Sequence, residues 1–282
     1  MNSKSVTKGI LSFLCILFMM PLGHAFVILM QTHLEAPALQ WVAGCAGFAA
    51  LVGAILGCRV KSEAMQVLCG AFCAVIVWGT WIEFSIISFG KSLEVPPLMV
   101  GGEIYTKPEY RLLPSTLPFA ALFLLIYVYS APPRWMFVKY MRRFLQMKGN
   151  YVADGSNESI WAFLSLLLLI WITYLVLLVE FNPSICGARH PVTMITAAAC
   201  LSCGLILLLR SMAARSWASA FRQAIVTVCI LWTFVEIMLK LKLFTEIWIY
   251  PQKYVGPMIA LLIAFVATVV AVCFIAHRKR IK

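Results

Sequence analysis

Glu83 and Glu236 are the residues whose type and position most clearly invite chemistry. Each sits in an apolar run behind tryptophan, Glu83 in Trp78-Gly79-Thr80-Trp81-Ile82-Glu83-Phe84 and Glu236 in Trp232-Thr233-Phe234-Val235-Glu236. A charged side chain near the centre of a bilayer costs about 2.5–3.5 kcal/mol, so each must be protonated, partnered, or turned toward water or protein. Lys240 follows Glu236 by one turn, acid first, a spacing that allows an ion pair on one helix face. Glu83 has no cation at i+3 or i+4, so its partner must come from another helix, the outer loop, an ion or a proton. Two readings compete: both acids are hydrogen-bonded ties between helices, or both handle protons, ions or substrate.

A second cluster, Glu103, Lys107, Glu109, Tyr110 and Arg111, lies in the segment Gly90–Leu112. It holds the acid, base and cation that a membrane enzyme would need at the outer face, although loops of mixed charge are commonly only solvated. The four histidines, His24, His33, His190 and His277, do not converge as ligands, so no metal, haem or other cofactor is expected. Cys200-Leu201-Ser202-Cys203 lies inside an apolar run and reads as packing rather than redox chemistry. No nucleophile elbow, phosphate loop or dinucleotide-binding glycine pattern occurs, and no catalytic residue is assigned.

The elements that must position these residues are membrane helices. Of 282 residues, 62% are hydrophobic and only 12% charged, against about 25% charged in soluble domains. The net charge of +12 does not point to nucleic acid, because no folded soluble domain is there to present a basic face. Apolar runs of about 17–25 residues predict eight spans, near 9–30, 39–57, 65–89, 113–129, 160–179, 192–209, 225–243 and 255–275. With a cytoplasmic N-terminus, 16 of the 23 Lys and Arg residues fall on the inside and seven outside, which supports an even span count with both termini cytoplasmic. The first run also resembles a secretory signal cleaved after Ala25, but apolar residues resume at Phe26–Met30 and make it long enough to span.

Small residues recur every fourth position at Cys45, Ala49, Gly53 and Gly57, and again at Thr196, Cys200 and Gly204. Such rows mark close helix packing, within the bundle or between copies of the chain. Ile10 to Leu14 resembles Ile160 to Leu164, Arg59 matches Arg210, and Thr80–Glu83 matches Thr233–Glu236, at offsets of 150, 151 and 153 residues. The expected architecture is therefore an all-α polytopic bundle of about eight helices in two parallel four-span halves, residues 1–131 and 159–282. Between them, 132–158 is a basic linker in which Arg134, Lys139, Arg142 and Arg143 are candidates for contact with anionic lipid at the inner face of a cell membrane. The leading functional reading is a carrier or the membrane subunit of a transport complex. Its rivals are an outer-face membrane enzyme and an assembly subunit, with other membrane subunits or a second copy as partners.

Overall fold

The computed structural model describes residues 3–100, 102–147 and 157–278, with the side chains of Ala36, Glu103, Glu109, His277 and Arg278 outside the description. It is 79% helical. Eight helices are long and apolar enough to cross a membrane: Ser3–His33, Pro37–Gly57, Glu63–Ser92, Tyr110–Ser130, Glu158–Phe181, Pro191–Met212, Trp217–Lys240 and Val255–Ala276. The protein is thus a multi-pass all-α membrane bundle, and eight crossings put both ends on one face, called here the termini face. Its opposite is the loop face.

Burial separates the spans into two shells. In the first, third, fifth and seventh spans 44–56% of the apolar window is buried, against 17–22% in the second, fourth, sixth and eighth. The inner spans carry the large buried side chains Ile16, Val67, Leu166, Leu168, Phe221 and Ile225. Outer spans turn Phe48, Phe119, Leu125, Ile195 and Ile263 outward, as lipid-facing helices must. Packing pairs come in matched sets: the third span packs on the fifth and the seventh on the first, the second on the third and the sixth on the seventh, the fourth on the fifth and the eighth on the first.

Glycines permit the closest approaches. A Cβ on Gly70 would run into the backbone of Ser159, and one on Gly9 would come within 2.6 Å of the Met212 backbone. The small-residue row of the second span divides: Gly53 and Gly57 face Cys73, Cys69 and Ser159 inside the bundle, whereas Cys45 and Ala49 are exposed. Gly204, in the other row, faces Leu231 of the seventh span, so its packing is intramolecular.

The termini face is fastened by charge. Glu158, fully buried at the start of the fifth span, pairs with Arg134 and, at 2.9 Å, with Arg222, while its backbone N–H donates to Gln66 Oε1. Arg142 lies in the amphipathic helix Met136–Phe144 and was expected to meet lipid. Instead it is buried and donates to the carbonyl oxygens of Val128, Tyr129 and Ala131, closing the end of the fourth span. The reason is register: Val138 and Arg142, one turn apart, face the bundle and leave Lys139, Tyr140, Arg143 and Phe144 on the outer side. Residues 148–156 of the linker lie outside the described residues.

Candidate functional site

The third span changes helix type where Glu83 stands. Trp78–Glu83 forms a π-helical turn, and the Phe84 N–H reaches back five residues to the Gly79 carbonyl. Such turns insert one residue into the α-helical repeat and often mark functional positions, because they re-aim the side chains around them. Here Trp81 swings to the second span, where its indole N–H donates to the Gly44 carbonyl at 3.2 Å. Glu83 turns inward and lies 3.9 Å from Nδ1 of His24 in the first span. The other ring nitrogen of His24 meets the Tyr174 hydroxyl of the fifth span at 3.1 Å.

The seventh span completes the group. Glu236 Oε1 accepts the Trp232 indole N–H at 2.8 Å, and the Trp232 ring stacks on His24 with centroids 6.3 Å apart. The ion pair that the spacing allowed between Glu236 and Lys240 is absent among the described residues. Lys240 instead donates to the Tyr105 carbonyl at 2.5 Å and lies 4.4 Å over the Tyr105 ring. The loop hairpin Leu98–Val100 with Glu103–Thr106 draws it there, because the Tyr105 hydroxyl is itself held by the Ala188 N–H at 2.8 Å. Pro and Gly residues around this hairpin fold the loop back over the bundle.

Three cavities that share lining residues lie between the loop face and this group. A vestibule of about 800 Å³ lies between the hairpin, Cys186–His190 and the end of the seventh span. Tyr105, Leu239, Lys240 and Glu246 separate it from an inner chamber of about 170 Å³ that also touches Lys107, Tyr110, Tyr174 and Glu236. Behind Tyr174 a space of about 20 Å³, room for about one water, is bounded by His24, Trp78 and Glu83. On the termini side lies the apolar core of Ile16, Leu166, Leu168 and Ile225.

Of the residues anticipated at the outer loop, Lys107 and Tyr110 line the inner chamber. Arg111 is exposed and donates to the Pro96 carbonyl at 2.7 Å. The side chains of Glu103 and Glu109 lie outside those described. Neither helical spacing nor charge pattern marks His24 as the partner of Glu83, or Tyr174 and Glu246 as its neighbours. A signal for the His24–Tyr174 contact is present in the sequence, since the two stand 150 residues apart, the offset of the opening residues of the two halves. Glu246 lies outside the spans, and burial pushes its carboxyl above the ordinary glutamate range. Among the described residues no cluster of three or more His, Cys, Asp or Glu side chains is arranged to hold a metal ion.

The class defined by fold and site is a multi-pass helical membrane protein with a partly buried acid–imidazole–phenol group beneath a loop-face cavity. No protein-family model matches the chain, and neither a curated protein nor a solved structure matches it significantly.

Proposed function

We propose that the protein is a transport protein, a carrier or the membrane subunit of a transport complex, which loads protons and solute from the loop face. One observation carries this reading: Glu83 lies 3.9 Å from the imidazole of His24, a side chain able both to accept and to release a proton. Glu158, by contrast, is held by two guanidinium groups, those of Arg134 and Arg222, and serves as a tie at the termini face. Glu180, which accepts from the Thr196 hydroxyl, is likewise a tie between neighbouring spans.

The group has the parts of a short proton path. A carboxyl, an imidazole and a phenol follow one another from Glu83 through His24 to Tyr174, whose ring borders the inner chamber. Imidazole passes a proton by accepting at one nitrogen and releasing from the other, which suits His24 between its two partners. The apolar core on the termini side would have to part to complete a crossing, as alternating access requires.

The test is charge movement in proteoliposomes adsorbed on a solid-supported membrane, driven by pH steps and by steps of small polar solutes. Wild-type protein should give protein-dependent currents, and Glu83→Gln and Glu236→Gln should reduce them at least tenfold while eluting as folded protein. Wild-type currents in both variants would remove the proposal.

A further inference from the structure

We infer that the inner chamber takes a small zwitterion bearing one ammonium and one carboxylate, of the size of an amino acid; this rests on the reading of the chamber as a loading site. Among the described side chains its wall carries two acids, Glu236 and Glu246, and two ammonium groups, Lys107 and Lys240. With all four ionised, these described charges sum to zero. A ligand with net charge would enter at the cost of one uncompensated charge in a half-desolvated space, whereas a zwitterion meets a counter-charge at each end.

Lys240 and Glu236 are held apart, so each keeps capacity for a ligand. Lys240 and Glu236 are one helical turn apart, yet Lys240 is drawn toward the hairpin by the Tyr105 carbonyl and ring. Glu236 is drawn the other way by the Trp232 indole. Each uses part of its hydrogen-bonding capacity there: an ammonium has three donors and a carboxylate two oxygens. Lys240 is therefore placed to take a carboxylate, and Glu236 with Glu246 to take an ammonium. Between them Leu177, Phe181 and Ile249 supply an apolar wall for a short aliphatic side chain. The volume of about 170 Å³ admits a molecule of on the order of ten non-hydrogen atoms, scaling from the volume one water needs.

The experiment compares ligands that share a skeleton and differ in charge. Purified full-length protein is unfolded thermally at pH 7 with alanine, leucine or 4-aminobutanoate, and with 3-methylbutylamine and 4-methylpentanoate, which are leucine without its carboxylate and without its ammonium. At least one zwitterion should raise the unfolding temperature by about 2–4 °C with saturable dose dependence, and the two singly charged analogues should not. Lys240→Met should weaken that zwitterion at least tenfold, while Arg143→Ala, outside the chamber, leaves it unchanged. If no zwitterion stabilises, or if the amine or the acid does so equally, the inference fails; the wild-type comparison decides even if Lys240→Met does not fold. Glu83-dependent pH-step currents without zwitterion binding would remove the ligand class alone. Binding without currents would instead remove the transport reading.

Discussion

His24 and Tyr174 are joined by a 3.1 Å hydrogen bond although they stand 150 residues apart, the offset that also separates Ile10 from Ile160. Their other contacts exchange in the same sense. His24 of the first span stacks on Trp232 of the seventh, and Tyr174 of the fifth stacks on Trp78 of the third at 5.4 Å. We read these pairs, with the matched packing of the spans, as a parallel duplication whose axis passes near the His24–Tyr174 contact. An experimental structure should superpose residues 9–130 on 159–276 by roughly half a turn about the membrane normal. A rotation about an in-plane axis, or no common core, would end the idea.

Tyr174 supplies both a hydroxyl and a ring, and two variants separate them. Tyr174→Phe keeps the ring between Trp78 and Tyr110 and loses only the bond to His24, a cost of about 1 kcal/mol. His24→Ala loses that bond, the Trp232 stack and the contact to Glu83, so its thermal midpoint in detergent should fall further than that of Tyr174→Phe. Equal midpoints for the two variants would show that the His24 ring contributes nothing beyond its hydrogen bond.

Close helix approach makes a sharp pair of glycine predictions. Gly70 meets the Ser159 backbone, which cannot rotate away, whereas nothing lies within 4 Å of a Cβ on Gly44. Gly70→Val should cost about 3 kcal/mol or more through overpacking and lose the monodisperse peak on size exclusion, while Gly44→Val elutes as wild type. A well-behaved Gly70→Val protein would mean that the third and fifth spans do not pack as described.

Much of this bundle was legible from composition. Hydropathy finds eight spans because lipid forces every backbone group to pair within its own helix, leaving side chains to carry the signal. Glu83 and Glu236 were legible as well, because charge in an apolar run has few explanations. Their partners were not: a 3.9 Å contact between His24 and Glu83 depends on a π-turn that no residue pattern announces. Lys240 was misread for a related reason. Helical spacing offered it Glu236, but the loop hairpin brought a competing carbonyl and aromatic ring from 135 residues away.

Arg142 and Arg143 are adjacent and should behave oppositely. Arg142→Ala leaves the carbonyls of Val128, Tyr129 and Ala131 without their shared donor, at about 1–3 kcal/mol for each that stays buried, so the variant should unfold well below wild type. Lys139 and Arg143 are exposed beside Tyr140 and Phe144, which are 54% and 80% exposed, a composition suited to an anionic leaflet. Nanodiscs with anionic phospholipid should stabilise wild type relative to neutral nanodiscs, and the double variant Lys139→Glu, Arg143→Glu should lose that increment. Full retention of the increment would confine this helix to its structural role.

Glu246 gives the fold a pH dependence of definite sign. Burial is the largest influence on its carboxyl, and despite the attraction of Lys107, His24 and Lys240 the folded-state value stays above the ordinary 4.5. The folded chain therefore holds this proton more tightly than the unfolded chain. The stability so contributed is fully present below the unfolded value, declines as pH rises from there to the raised folded value, and is lost above it. Glu246→Gln keeps the shape and removes the ionisation. It should flatten the fall in thermal midpoint above pH 4.5 and leave the variant more stable than wild type at neutral pH, provided no ligand occupies the chamber. Parallel midpoint–pH curves for the two proteins would show that Glu246 ionises in water rather than against the chamber wall.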